Sequence, residues 1–490
     1  MINDLRDHLD ALQAAGDLVV VSAPVSPELE AAAVVRYCCE HRAPAPLLAN
    51  PVCDLEGARL LGGPAALSSR PDAPLARVAL SLGLDPGTGG REIVEALAAV
   101  RSRAPVAPVV VPTGPCKENV VAAEDVDLDR WPIPLIHPGD GGPYVNTWGT
   151  IVARTPDGAW TNWSISRVQK LGRTTMTGLF VPGQHLTRIW RMWAERGEPM
   201  PFALFQGGPP AAPFVSGMPL GDYVDEVAYL GALHGEPVEL VRCETVDLEV
   251  PASAEIVFEG HVSVDRRVEE GPFGEFPGYA SSGTGTQPVY TLTAITHRDD
   301  PVLPFVAEGK PVDEYHTVAG VCFSAEALGL LRDAGLPVGS VWIPFETANH
   351  WMVVTVDRDR RSAFPDRAAL CRRVGEVVWR TKFGFTVPKI YLLDDDVDPT
   401  DVDELLWAVG TRQHPVRAIT DDGPVLRLLA CYTPEERAAG HADRAVYDCL
   451  LPDPRPTVLS FEDLYPPTVR ARATAVLDGL LPRPAGDRPG

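Results

Sequence analysis

Between about residue 118 and residue 305 the chain reads as one strand after another, and this run limits its architecture more than any other feature. VNTWGTIVART (145–155), PVELVRCETVDLEV (237–250), AEIVFEGHVSVD (254–265) and PVYTLTAITHR (288–298) are the clearest of these segments. In the third, Ile256, Phe258, Val262 and Val264 alternate on one face with Gly260 in step, the two-residue period of a strand. A string of mostly antiparallel candidates predicts a barrel or a sandwich. Two helices interrupt it. GQHLTRIWRMWAERG places Leu186, Ile189, Trp190 and Trp193 on one stripe and stops at Gly197, and GDYVDEVAYLGALHG places Tyr223, Val227 and Leu230 on another and stops at Gly235.

The flanks read differently. Residues 1 to about 115 predict a small α/β domain, with helices over 3–15, 27–40 and 91–101 and a strand over 18–22; the proline-bracketed VAPVVVPTGP marks its boundary. After about 320, AEALGLLRDAG, GSVWIPF, HWMVVTVD, RAALCRRVGEVVWRTKFG, PKIYLLDDDVD and DVDELLWAVGTR alternate helix and strand as a second α/β unit. The end, FEDLYPPTVRARATAVLDGLLPRPAGDRPG, predicts one more helix and a proline-rich tail that either stays loose or packs on a partner subunit. A chain of 490 residues allows two to four domains at about 100–200 residues each.

Charge and cysteine usage exclude several classes. With 66 acidic against 43 basic residues the formal net charge is -23, opposite to a nucleic-acid footprint and unfavourable for anionic membranes. Ile2, Leu5, Leu9 and Leu12 stand at helical spacing before Gly16, and intervening charges break up any signal-peptide core. Apolar runs such as 105–112 fall short of the ~18 residues needed to span a bilayer. Nine cysteines without a CxxC pair suggest neither a zinc ribbon nor a disulfide framework, so a reducing cytoplasm is expected. GxGxxG, Walker A, GxSxG and HExxH are all absent, leaving dinucleotide, P-loop, α/β-hydrolase and zincin readings without their signatures.

Three stretches carry candidate chemistry. In TNWSISRVQ (161–169), an extended backbone points Asn162, Ser164 and Ser166 to one face and Trp163, Ile165 and Arg167 to the other. The polar triplet suits a phosphate or metal, and Arg167 suits a carboxylate; a barrel strand with a solvated face and a surface arginine is the open alternative. In VPGQHLT, Gln184 and His185 sit at a helix N-terminus, which favours anions, while the imidazole can ligate a metal or simply cap. Glu226 reads as a solvated helix acid, yet an Asn, a His and a Glu together suit Mg²⁺ or Mn²⁺. In RVEEGPFGEFPGYASSG (267–283), Glu270 and Glu275 bracket a tight turn with Phe273, Phe276 and Tyr279 nearby. Beside Arg167, one acid can stay ionised while the other, if desolvated, holds a proton; a polar hairpin with two exposed acids is the alternative. The acids of DDDVD (394–398) are explained by capping and solvation.

Taken together, NTWGT at 146, TNWSISR at 161, PGQH at 182, SGMPLG at 216, CETVDLEVPASAEIVFEG at 243, EGPFGE at 270 and DEYHT at 313 resemble the UbiD family of decarboxylases, in order and over roughly 110–465. The resemblance implies an α+β fold: an N-terminal α/β region (1–115), a central split β-barrel binding prenylated FMN (116–315), a C-terminal α/β dimerisation domain (316–465), and a terminal helix and tail (466–490). It implies Mn²⁺ held by Asn162, His185 and Glu226, and K⁺ held by Trp163, Val215, Ser216, Met218 and Glu226. Cofactor contacts are implied at Asn162, Trp163, Ser164, Ile165, Ser166, Arg167, Gln184, His185, Glu226 and, more loosely matched, Lys389. The implied catalytic set is Arg167, which orients the substrate carboxylate, Glu270, which pairs with it, and Glu275, which delivers the proton replacing CO₂.

TNWSISR resembles the branch acting on acrylic-type acids. Val318 and Ala319, where the family lines its pocket, leave room for a bulky or extended substrate. The expected reaction is decarboxylation of an α,β-unsaturated acid to the terminal alkene, bulky aliphatic and natural-product intermediates included. An aromatic or heteroaromatic acid is the alternative, as are a silent flavin-binding scaffold and a divalent-metal hydrolase. A flavin prenyltransferase is implied as cofactor supplier and a homodimer as the assembly, with Leu405, Leu406 and Val409 compatible with an interface.

Overall fold

The computed structural model describes residues 4–280, 283–478 and 480. Ile2, Ser281, Ser282 and the tail 481–490 lie outside these. The first helix, Leu5–Ala14, is capped by Asp4, whose side chain accepts the Arg6 N–H, and buries Leu5, Leu9 and Leu12. Glu30–Glu40 begins three residues later than the pattern predicts, because Leu29 has φ 67°, outside the helical basin. A four-stranded sheet joins Leu18–Val21, Ala45–Leu48, Arg59–Leu61 and Val302–Pro304. Its last strand comes from the middle of the chain and ties that region to the N-terminal one.

The central sheet has nine strands: β1 (Asn119–Ala122), β2 (Tyr144–Asn146), β3 (Thr150–Arg154), β4 (Thr161–Ser164), β5 (Val168–Lys170), β6 (Thr175–Gly178), β7 (Met200–Gly207), β8 (Ala254–Glu270) and β9 (Gly285–His297). They pair antiparallel in the order β2-β5-β6-β9-β8-β7-β3-β4, with β1 beside β9. The edge strand β4 connects to β5, near the opposite edge, through Ile165, Ser166 and Arg167 alone, and β2 connects to β3 through Thr147, Trp148 and Gly149. Links this short span only about 10–15 Å, so the two margins must meet and the sheet curls into a split barrel. Polar contacts across the seam fix the closure: Gln206 Nε2 on β7 donates to the Val145 carbonyl and to Asn146 Oδ1 at 2.9 Å each, and Asn146 Nδ2 donates to the Ser166 carbonyl at 2.7 Å.

Four helices frame this barrel: α1 (His185–Glu195), α2 (Ala212–Gly217), α3 (Glu226–His234) and α4 (Glu314–Asp333). Both sheet faces are covered, with Ile151, Phe202 and Phe258 in one apolar cluster and Val152, Phe205 and Val257 in another. The C-terminal unit is a five-stranded sheet, ordered Val338–Trp342, Trp351–Val356, Lys389–Asp394, His441–Asp448, Ala418–Pro424, with helices Arg367–Trp379 and Val402–Arg412.

Several local expectations are corrected. TNWSISRVQ is not one strand; it breaks at 165–167. Val264 is exposed rather than inward, because the pairing of β8 with β9 shifts register after Val262. Tyr223 precedes α3, exposed and at φ 62°, and α3 is buried nearly all round instead of along a stripe. Leu405 and Val409 are buried in the subunit's own core, leaving Leu406 exposed. The acids of 394–398 are not all solvated: Asp394 binds Arg361 at 2.5 Å and Asp396 binds Arg412 at 2.9 Å. Phe461–Leu464 and Pro467–Leu477 carry the expected terminal helix and bury no residue.

Candidate active site

The break between β4 and β5 aims Arg167 at the end of β8. Its Nε and Nη2 donate to the two oxygens of Glu270 at 2.8 and 3.1 Å, and Nη1 donates to Glu275 Oε1 at 2.6 Å. The side chains of Arg167, Glu270 and Glu275 are 13%, 2% and 15% exposed, so neither the surface arginine nor the exposed hairpin describes them. Burial pulls the guanidinium pKa down, but its bonds to Glu270 and the charge of both acids outweigh this and raise it. The Arg167 Cζ lies 4.8 Å from the centre of the Phe273 ring. Tyr144, absent from the sequence-based set, donates its hydroxyl to Glu270 Oε1 at 3.0 Å; burial and the Glu270 charge both push that phenol up.

The turn from Glu270 to Glu275 is held by its backbone. Gln169 Oε1 accepts from the Gly271 N–H at 3.0 Å, the Gly141 N–H donates to the Pro272 carbonyl at 2.8 Å, and Asp140 Oδ1 accepts from the Gly274 N–H at 2.8 Å. Gly271 has φ 85°, which a glycine adopts without strain. Beyond Glu275, the Phe276 carbonyl receives His316 Nε2 at 2.8 Å, and Phe276 stacks on Tyr315 at 4.1 Å between centroids. These bonds fix both acids before any ligand arrives.

Asn162, His185 and Glu226 also converge. Asn162 Nδ2 donates to Glu226 Oε1 at 2.7 Å, and His185 Nδ1 lies 3.5 Å from Asn162 Nδ2 and 3.9 Å from Glu226 Oε1. Glu226, the first residue of α3, is not solvated but buried, with Oε2 accepting from the Trp163 N–H at 3.1 Å. Burial pushes its carboxyl up to about 8 despite that bond and the Asn162 amide. Among the described residues no group of three or more His, Cys, Asp or Glu side chains could hold a metal. This trio has only two of those types, and its third donor is an amide whose oxygen now accepts from Ser164 Oγ at 2.5 Å. Rotating the carboxamide by half a turn presents that oxygen alongside the imidazole nitrogen and the carboxylate, a donor set for a divalent ion of the Mg²⁺ or Mn²⁺ kind.

A cavity of about 490 Å³ adjoins the trio. Asn162, Trp163, Ser164, Ile165, Gln184, His185, Ser216, Met218 and Glu226 line it, with Val318, Ala319, Glu308 and Tyr315 beyond. Ser166 instead donates its hydroxyl to the Leu179 carbonyl at 2.8 Å. Ser216 Oγ lies 3.0 Å from Thr150 Oγ1, and the buried Val215 offers its carbonyl to the Met218 N–H at 3.2 Å. The lysine in the wall is Lys382. It bonds the Leu220 carbonyl at 2.9 Å and Asp222 at 3.1 Å, and contacts the His185 ring. Its bond holds the Asp222 carboxyl down to about 2. Burial, then the Lys382 charge, lower the His185 imidazole. Lys389 opens a strand of the C-terminal sheet, paired with Trp351 and Ala445, and does not line the cavity.

Sequence comparison places this barrel and site among the carboxy-lyases. Residues 9–97, 109–311 and 316–449 match the N-terminal, Rift-related and C-terminal domains of 3-octaprenyl-4-hydroxybenzoate carboxy-lyase. The chain belongs to the UbiD family and is a decarboxylase of that family. It is 41% identical over 480 residues to the pyrrole-2-carboxylic acid decarboxylase of Pseudomonas aeruginosa, covering 96% of each chain. It is 39% identical to ferulic acid decarboxylase 1 of Saccharomyces cerevisiae, covering 84% of each. Among solved structures, the closed form of the vanillic acid decarboxylase of Sedimentibacter hydroxybenzoicus superposes with a TM-score of 0.82 at 26% identity, over 99% of this chain and 100% of that one. An evolved dimeric form of HmfF from Pelotomaculum thermopropionicum, in complex with prFMN, gives 0.78 at 27% identity over 94% and 97%.

Proposed function

We propose that this enzyme removes CO₂ from an α,β-unsaturated carboxylic acid to leave the alkene, using prenylated FMN seated in the 490 Å³ cavity. The observation carrying this reading is the Arg167 fork, clasped by Glu270 on two donors and by Glu275 on the third. Glu270, also bonded by Tyr144, is the fixed partner that holds the guanidinium in place. Glu275 is the exchangeable one: a substrate carboxylate arriving at Nη1 takes its place and frees it to carry a proton to the carbon that loses CO₂. The bound flavin supplies the electron sink. The chain supplies position, charge and protons.

Asn162, His185 and Glu226 would hold Mn²⁺, whose charge would offset the buried Glu226 carboxylate. Lys382, in place of Lys389, would add a second cation there. Trp163, Val215, Ser216 and Met218, with Glu226, would frame K⁺, since Ser216 and the Val215 carbonyl offer oxygens. The division 1–115, 116–315, 316–465 and 466–490 and a homodimer belong to the same proposal. The nine cysteines are free thiols, which supports a reducing cytoplasm. No described helix is long and apolar enough to cross a membrane.

A heteroaromatic acid is the second reading, favoured by the higher identity and coverage of the pyrrole-2-carboxylic acid decarboxylase. The test is CO₂ release from cinnamic, sorbic, pyrrole-2-carboxylic and 4-hydroxybenzoic acids, by enzyme co-expressed with a flavin prenyltransferase. Fastest turnover of cinnamic or sorbic acid is expected. Preference for the pyrrole acid selects the second reading, and turnover of the hydroxybenzoate alone overturns both.

A further inference from the structure

Glu308 is a third acid at this site, unassigned by the mechanism above. It is half-buried and lines the cavity with Ile165, Tyr315 and Val318. No described residue hydrogen-bonds or ion-pairs with its carboxyl. Its position relative to Glu275 is nevertheless fixed, because one bracket holds both segments. His137 Nε2 bonds the Glu308 carbonyl at 2.7 Å, and His137 Nδ1 pairs with Asp140, which accepts from the Gly274 N–H at 2.8 Å. A Cβ at Gly274 would come within 2.4 Å of the His137 ring, so ring and turn are in direct contact next to Glu275.

The groups facing the Glu308 carboxyl are mostly anionic. Burial comes first, then the charges of Glu275, Asp313 and Asp140, all favouring the protonated acid, with Arg167 opposing; together they raise its pKa well above the carboxylate range. Arg167 is itself spent on Glu270 and Glu275, and Asp313 on Arg36 and His316. Tyr315 is held protonated by burial and by Glu308 and Glu275. An acid of the cavity wall whose carboxyl has no cation of its own, and which interacts with one that must gain a proton in every turnover, is placed to supply it.

We propose that Glu308 is the proton reservoir of the site, recharging Glu275 and drawing its own proton from solvent. This rests on the decarboxylation reading given above. The balance is one proton per turnover with no net change in electrons. The C–C bond to the carboxylate breaks, and its pair stays on carbon. The Glu308 O–H breaks as a Glu275 O–H forms; the Glu275 O–H then breaks as the new C–H forms. Glu308 acts through Glu275 and is a positioning residue for the proton.

The test compares wild type, Glu308→Gln and Glu308→Asp loaded with cofactor to equal flavin absorbance. In wild type, kcat should fall as pH rises through the raised Glu308 pKa. In Glu308→Gln, kcat should drop at least tenfold with KM within twofold, that alkaline limb should vanish, and the solvent deuterium effect on kcat should grow. Glu308→Asp should recover part of the loss. A glutamine variant with wild-type kcat and pH profile overturns the proposal, and so does equal loss in both variants, which assigns Glu308 a packing role. Wild-type turnover in the same assay tests the decarboxylation reading separately. Difference infrared spectra supply a readout without turnover: a protonated-carboxyl carbonyl stretch present at neutral pH in wild type and missing from Glu308→Gln is expected, and its absence from wild type overturns the proposal.

Discussion

Arg167→Lys keeps the positive charge and removes the fork. The guanidinium makes three charge-assisted hydrogen bonds, at 2.8, 3.1 and 2.6 Å. An ammonium is a compact point charge that cannot bind Glu270 bidentately and reach Glu275 as well, so two of the three are lost. At about 1.5–3 kcal/mol for a hydrogen bond to a charged group, the gross loss is about 3–6 kcal/mol. The retained charge and water entering a site 13–15% exposed offset part of this, leaving about 3 kcal/mol. With tenfold in rate per about 1.36 kcal/mol, kcat/KM should fall about a hundredfold. The assay is initial-rate CO₂ release per mole of bound flavin, with circular dichroism as a control on folding. Both constants should move: KM upward because the carboxylate loses the Nη1 donor that seats it, kcat downward because a point charge no longer fixes the carboxylate's angle beside the freed Glu275. A correctly folded, fully loaded variant within threefold of wild type would refute the idea that the fork, rather than its charge, positions the substrate.

Tyr144→Phe deletes one hydroxyl while Glu270 keeps both bonds from Arg167, so kcat/KM should fall about tenfold, the cost of one such bond; an unchanged value removes Tyr144 from the site. Lys382→Ala should weaken FMN binding about tenfold in a fluorescence titration at low salt, the effect shrinking as salt screens this half-exposed amine, whereas Lys389→Ala should leave it unchanged; the reverse order would return the contact to Lys389. His8 and His350 are lowered to about 4, burial being the main cause in both. Their neutral forms contribute stability that is complete above pH 6.5 and is lost as pH falls from 6.5 towards 4, roughly 2–3 kcal/mol each. Urea midpoints should drop across that window and drop less in His8→Gln; a midpoint flat from pH 7 to 4.5 contradicts this.

The order of elements was legible because period and punctuation carry it. Gly197 and Gly235 lie just beyond the helices they were read to end, at φ 73° and 78°, and the acids at 270 and 275 were readable as a pair from the tight turn between them. What failed to show depended on contacts far along the chain. Glu226 at the start of a helix looks like any first-turn acid, and its burial comes from β4 and from α3 being enclosed on every side. Val264 follows the alternation of its neighbours, but the register shift after Val262 turns it outward, and nothing local records that. Lys382 and Lys389 lie seven positions apart, and the choice between them is made by the path of the chain after Trp379, which delivers the first to the cavity and the second into a sheet.

The interruption at 165–167 joins fold to site. Strand pairing places Trp163 opposite Val152 and Ser164 opposite Ile151, so Trp163 belongs to the apolar cluster of Val152 and Phe205, packing on Phe205 at 4.9 Å. Had the strand run on, a two-residue period would put Arg167 on the same face as Trp163, away from Glu270 and Glu275. Instead the chain leaves the sheet at Ile165 to cross to β5, and Arg167 emerges beside Tyr144 and Phe273 in the opposite cluster. No glycine or proline marks the break; the need to close the barrel imposes it. The same three residues therefore close the seam, through the Ser166 carbonyl and Asn146, and deliver the guanidinium to the two acids. Inserting one glycine after Ser164 should uncouple these roles, leaving a folded barrel that binds FMN but releases no CO₂, whereas an insertion variant with wild-type turnover would show that the link does not set the position of Arg167.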